Sequence, residues 1–363
     1  MQKRHFLFII FLISGCFIRI SAGNLTSKQS EITTNHQNKL QQRSGKKYLN
    51  AFYYRAQMYT MVPSQIKQDM KWLADAGTNA ITIAVLEQDF DAASENIQFI
   101  IKEANKVGMD VIATPSRWGG IVAGAPKVPS VFTIRNPQTW VLNKDGSAFD
   151  TPISGRISSI NSEETYQFVQ DLIDKLFQKW NFKGVIWDEP KTISLDYSPA
   201  AIQKFGNNPT MDQQIQANVD FYSRINKHIK TKFPDKTTSF FIYASFDDET
   251  IKKLAKIQYL DYFGADGRPW NEADGGQLEE KGKTLLGNQG QRFIDAAHAN
   301  NMKSMLLMEN HNLPKSNIPL LEKGMPELLK MDIDQLIYYY YPRNVEEPDR
   351  TMNIIKKNLK NYR

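Results

Sequence analysis

The sequence predicts a single closed α/β barrel, the (β/α)8 fold, and three observations lead to it. From residue 49 onward, short apolar runs alternate with amphipathic helical segments, the pattern of a parallel sheet covered by helices. Eight strand-helix pairs fit before the chain ends at residue 363, the number that closes a barrel. The third observation is the stretch 184–190, Gly-Val-Ile-Trp-Asp-Glu-Pro, in which an apolar run ends in two adjacent carboxylates, Asp188 and Glu189. A buried parallel strand reads as such a run, and its C-terminal end is where α/β folds bind ligands. Pro190 cannot donate to a sheet ladder and fixes where the strand stops. An open doubly wound sheet would want a glycine-rich phosphate turn after the first strand, and Tyr53-Tyr54-Arg55-Ala56-Gln57 is not one.

The elements follow in order. An aromatic-rich first strand is expected over 51–59. Pro63 opens a helix whose apolar face is Ile66, Met70 and Leu73 and which Gly77 ends. A second strand spans 80–86. A helix follows through Ile97, Ile100, Ile101, Ala104 and Val107, closed by Gly108. The third strand, 110–114, leads past Arg117 and Trp118 into a loop of about forty residues, a length usual for lids and binding segments. Val169, Leu172, Ile173, Leu176 and Phe177 then mark a strong amphipathic helix before strand four at 184–188. The remaining strands are expected at 239–244, 259–263, 303–308 and 335–341, separated by helices at 211–232, 248–257, 291–299 and 318–330 and closed by one at 349–359. A glycine-rich loop from about residue 264 to 287 carries Asp266 and Trp270.

Residues 1–23 read as a secretory signal, with a positive start and an apolar core too short to span a bilayer. Ile13-Ser14-Gly15-Cys16 matches a lipoprotein cleavage box, with cleavage after Gly23 as the alternative, so a lipid anchor through Cys16 is one expectation. Residues 24–48 are polar and read as a tether, leaving 49–363 as the catalytic domain. The protein is therefore expected to be exported, to the periplasm or the cell surface.

Composition narrows the chemistry. Residues 1–48 hold eight of the 45 Lys and Arg and one of the 39 Asp and Glu, so the body has a net charge of −1 rather than the +6 of the whole chain. A near-neutral body argues against nucleic acid as a partner and suits a neutral substrate. Cys16 is the only cysteine, and of five histidines only His311 falls at an expected strand end. No zinc, paired-cysteine or phosphate-loop pattern occurs, so neither metal nor cofactor is expected.

Glu189 ends strand four and Glu309 ends strand seven, positions that face each other across the mouth of an eight-stranded barrel. Two carboxylates about 5–5.5 Å apart are what a retaining glycosidase needs, one as acid/base and one as nucleophile. Aromatic side chains that stack on sugar rings fall at or near the same ends: Tyr54, Trp118, Trp187, Tyr243, Tyr262, Trp270 and Tyr339. Arg55, Arg117 and His311 add polar groups for substrate.

At these residues the chain resembles the (β/α)8 glycoside hydrolases of clan A, which carry Asn-Glu-Pro or a close variant on strand four and a glutamate on strand seven. Asp188-Glu189-Pro190 and Glu309 stand at those positions. The resemblance implies Glu189 as acid/base and Glu309 as nucleophile, acting on an oligo- or polysaccharide. The departure is Asp188, because the group's asparagine donates a hydrogen bond to the sugar 2-hydroxyl and an ionised aspartate only accepts. Two other glycosidase arrangements use Asp188 directly. In the hexosaminidase type, the aspartate orients a substrate N-acetyl group and the glutamate is the acid. In the α-galactosidase type, Asp188 would be nucleophile and Asp266 acid. A barrel that binds glycan without cleaving it is a further alternative.

Overall fold

A computed structural model describes residues 47–53, 61–124, 128–151, 155–275 and 281–360 of the chain. The first 46 residues, with Cys16 and most of the expected tether, lie outside the described residues, as do Tyr54 and Arg55. The expected barrel is present. Strands β1 (Tyr48–Tyr53), β2 (Ala80–Val85), β3 (Asp110–Pro115), β4 (Gly184–Asp188), β5 (Thr237–Tyr243), β6 (Tyr262–Gly267), β7 (Lys303–Met308) and β8 (Gln335–Tyr340) pair in sequence order, and β8 closes on β1. Every barrel pairing is parallel, with Phe52 opposite Tyr339 at the closure and Tyr243 opposite Asp266 between β5 and β6.

The main helices are α1 (Pro63–Asp75), α2 (Ser94–Lys106), α3 (Glu163–Lys179), α4 (Met211–Lys232), α5 (Asp248–Leu254), α6 (Asn288–Ala299), α7 (Ile318–Leu329) and α8 (Pro348–Lys360). Their boundaries have local causes. Pro63 occupies the first turn of α1, where its missing N–H is no loss, and α4 opens with a capping box between Thr210 and Gln213. The described residues of the long segment after β3 carry structure of their own. They contain a short helix, Val131–Arg135, and a two-stranded ribbon, Asp150–Thr151 with Gly155–Arg156.

Strand pleating divides the apolar side chains between two cores. Phe52, Ala80, Ile112, Ile186, Phe241, Met305, Leu307 and Ile337 fill the barrel lumen, so it is packed rather than open. Alternate residues, among them Val185, Trp187, Phe240 and Phe263, pack under the helices with Tyr222 and Phe293. Burying one large apolar side chain in either layer is worth about 1.5–3 kcal/mol.

Most strand bounds fall within two residues of expectation, and two differ by more at their start. β1 begins at Tyr48 rather than at 51, and β6 runs from Tyr262 to Gly267 rather than over 259–263. The second difference matters for the site. Asp266 becomes a strand residue near the C-terminal rim, and Tyr262 becomes the first residue of β6, at the opposite rim. A β-carbon on Gly264 would lie 1.5 Å from the Met305 carbonyl oxygen, so only glycine lets β6 and β7 approach this closely. Gly264→Ala is expected to destabilise the fold by at least about 1–3 kcal/mol, seen as a lower denaturant midpoint with an unchanged slope.

Candidate active site

The pleat that fills the lumen also selects the acids. Ile186, Phe241 and Leu307 face inward, and successive residues alternate between faces. Asp188, Tyr243, Asp266 and Glu309 share that inward parity, and all lie at the C-terminal ends of β4 to β7. Asp188, Asp266 and Glu309 are each at most 9% exposed.

Glu189 has the wrong parity and would point to the helices if β4 continued. It does not continue: Glu189 takes a left-handed φ of 37°. Such a conformation costs a non-glycine residue about 1–3 kcal/mol and collects at functional sites. The surrounding backbone enforces the turn, with Ala123 N–H donating to the Asp188 carbonyl and Lys191 N–H to that of Ile121. As a result Glu189, Asp266 and Glu309 form one cluster, with a carboxylate oxygen from each within 4.8 Å of the others.

Cations are interleaved with the acids. Lys191 Nζ donates to Glu189 at 2.6 Å and to the Tyr243 hydroxyl at 2.6 Å. Lys283 Nζ lies 2.9 Å from Glu309 and 3.6 Å from Asp266, and 4.4 Å from the Tyr243 ring centroid. Arg268 donates to the backbone carbonyls of Glu309 and His311 and approaches the Glu309 carboxylate at 3.5 Å. Lys283 is held in place because its carbonyl accepts from Arg268 N–H, while Leu285 N–H returns to Arg268. Three carboxylates this close have the geometry of a cation site, but Lys191 already pairs with Glu189, and Lys283 and Arg268 with Glu309, so two of the three are ion-paired within the chain.

The electrostatics separate the four acids. Burial and then the Glu189 charge push Asp188 up to about 7, against the pull of Lys191 and Arg117. Burial would also raise Glu189, but Lys191, a hydrogen bond from Asp266 and Lys283 outweigh it and hold Glu189 down to about 2. Asp266 is raised well above the carboxylate range by burial, by Glu189 and by Glu309. Burial would lower Lys283, yet Asp266, Glu309 and Glu189 raise it, which keeps it charged. Arg117 is buried in a left-handed turn after β3 and faces the Asp188 and Glu189 charges.

With this geometry in hand, the fold can be compared with solved structures. The barrel matches those of glycoside hydrolases. A β-galactosidase from the Antarctic haloarchaeon Halorubrum lacusprofundi superposes with a TM-score of 0.59 at 13% identity, over 87% of this chain and 58% of that one. This chain thus spans little more than half the length of that relative. The catalytic domain of β-amylase from Paenibacillus polymyxa gives a TM-score of 0.54 at 11% identity, over 87% of this chain and 98% of that one. An endo-1,4-β-mannanase from Rhizomucor miehei gives 0.54 at 11% identity, over 88% and 96%. At these identities the likeness is one of fold. No family model and no curated protein matches the sequence.

The aromatic residues divide. Tyr243 lies in the acid cluster, and Tyr339 sits on the inward face of β8, its ring 5.1 Å from His311 and 5.4 Å from Phe52. Asn310 fixes Tyr339 by exchanging two hydrogen bonds with its backbone. Four expected platforms are structural instead. Trp187 has outward parity, and its indole N–H donates to Asn226 on α4. Trp118 donates to the Val85 carbonyl and packs on Phe90. Trp270 is 2% exposed in the helix-side core, beneath Arg268. Tyr262 is in edge contact with Tyr48 at the rim opposite the acids. Sequence reading missed Lys191, Lys283 and Arg268. The signal for Lys191 was its place two residues after Glu189, in Asp-Glu-Pro-Lys.

Asp188 makes stability pH-dependent. Its folded pKa, about 7, lies above the ordinary aspartate value of 3.8, so its contribution is full below pH 3.8 and is lost as pH rises through 7. Glu189 has the opposite sign: its contribution is full above the ordinary glutamate value of 4.5 and is lost as pH falls through about 2. Asp188→Asn is therefore expected to gain stability relative to the wild type between pH 4 and pH 8, by on the order of a few kcal/mol in denaturant titrations at the two pH values.

Proposed function

We propose that this protein is a retaining glycoside hydrolase acting on a neutral oligo- or polysaccharide, with Glu309 as nucleophile and Glu189 as acid/base. The observation that carries the reading is the approach of Glu189 and Glu309 to within 4.8 Å across the mouth, on β4 and β7. Carboxylate oxygens this close favour a retaining pair, with carboxyls about 5–5.5 Å apart, over an inverting one, with carboxyls about 6.5–9.5 Å apart. Comparable barrels in a β-galactosidase, a β-amylase and a mannanase support the substrate class by analogy.

In the first step Glu309 attacks the anomeric carbon while the leaving oxygen takes a proton through Glu189. In the second step Glu189 accepts a proton from water, which displaces Glu309 from the sugar. Lys283 and Arg268 flank the Glu309 carboxylate and aim it. Asp188 need not break the pattern of a hydrogen-bond donor beside the acid. Its raised pKa leaves a protonated form near neutrality, and that form donates to a sugar hydroxyl as an asparagine would. The same shift argues against Asp188 as nucleophile, a role that needs the ionised form. Substrate assistance would leave Glu309 without a role, although it is buried and paired with two cations. Because the cations at the site are engaged by its own acids, a neutral substrate fits better than an acidic one.

Glu189→Gln and Glu309→Gln are each expected to lower kcat/KM by about 10²–10⁴-fold or more on the best substrate from a glycoside panel, with circular dichroism unchanged. Nuclear magnetic resonance of the first-formed sugar should show the anomeric configuration of the substrate. Unchanged hydrolysis in both variants would overturn the reading, and an inverted first product would overturn the retaining mechanism.

A further inference from the structure

A general acid needs a proton to give. Lys191 at 2.6 Å holds Glu189 ionised, and an ionised Glu189 has nothing to give the leaving oxygen. The third carboxylate of the cluster has the opposite problem. Asp266 is 1% exposed, and neither of its side-chain oxygens accepts a hydrogen bond. Its only ion-pair approach among the described residues is Lys283 at 3.6 Å, and Lys283 sits closer to Glu309. An ionised carboxylate that is buried, accepts no hydrogen bond and is flanked by two more within 4.8 Å is strongly unfavourable. One proton on Asp266 removes the extra charge, and its O–H then has an acceptor in Glu189.

We propose that Asp266 is the proton store of the site, a positioning residue that holds one proton against Glu189 and releases it through Glu189 to the leaving group. This rests on the glycosidase reading above. In the first half-reaction the bond from the anomeric carbon to the leaving oxygen breaks and the bond to Glu309 forms. The leaving oxygen takes the proton through Glu189, and Asp266 is left ionised beside Lys283. In the second half-reaction water attacks the anomeric carbon and the ester to Glu309 breaks. The proton that water gives up passes through Glu189 back to Asp266. The net change is addition of one water across the glycosidic bond. The groups facing Asp266 are Glu189 beyond β4, Tyr243 on β5, Lys283 and Arg268 beyond β6 and Glu309 beyond β7, with Lys191 behind Glu189 and Asp188 beside it.

The test compares leaving groups that need a proton with ones that do not. For Asp266→Asn, kcat/KM on an alkyl or oligosaccharide substrate should fall by about 10²–10⁴-fold. Cleavage of the dinitrophenyl glycoside of the same sugar should stay within about threefold of the wild type, because that leaving group departs without general-acid help. An infrared difference spectrum, wild type minus Asp266→Asn at neutral pH, should contain a protonated-carboxyl band. If the asparagine variant does not fold, Asp266→Ser gives the same two readouts. An equal loss on both leaving groups, or a spectrum with only carboxylate bands, overturns the proton store. The glycosidase reading fails separately, if Glu189→Gln and Glu309→Gln leave both substrates untouched.

Discussion

Four carboxylates crowd one rim of this barrel, and most of the local structure follows from the need to keep them there. Asp188, Asp266 and Glu309 are buried, and Glu189 is nearly so. Burying one unpaired carboxylate costs several kcal/mol, so the cluster persists only if charge is compensated or removed. Lys191 and Lys283 compensate Glu189 and Glu309, while raised pKa values remove charge from Asp188 and Asp266. Neighbouring acids are thereby pushed apart, with Glu189 lowered and Asp188 and Asp266 raised, the kind of separation that marks acid/base sites.

The barrel supplies the geometry at little extra cost. Inward parity alone brings Asp188, Asp266 and Glu309 to the lumen. Glu189 joins them only because the chain takes a left-handed turn after β4, and the backbone of 121–123 straps that turn in place. The strain is local and the support is spread over neighbouring segments, a common arrangement at functional sites.

The barrel and the placement of Glu189 and Glu309 at its rim are legible in the sequence for the same reason. Apolar runs of strand length have no other use in a chain this regular, and acids at their ends interrupt the pattern. Periodicity reports which residues are buried, but not against what. Trp187 and Trp118 looked like sugar platforms because they stand at strand ends, yet each lies on the helix side of the sheet. Tyr259 and Leu260 read as strand in the sequence, which sets the expected sixth strand too early. The backbone instead turns at Tyr259, with φ of 60°, and starts pairing at Tyr262. Lys283 and Arg268 could not be found this way. Their importance comes from a loop that returns beside β6, a contact with no local signature.

The account stands or falls on which carboxylate reacts with sugar. A panel of activated fluoro-sugars that trap glycosyl-enzyme intermediates, followed by peptide mass spectrometry, reads this out directly. The account predicts one label per chain, on the peptide containing Glu309, and a label that is lost in Glu309→Gln. A label on Asp188, or turnover of the panel with no covalent adduct and an inverted product, would contradict it.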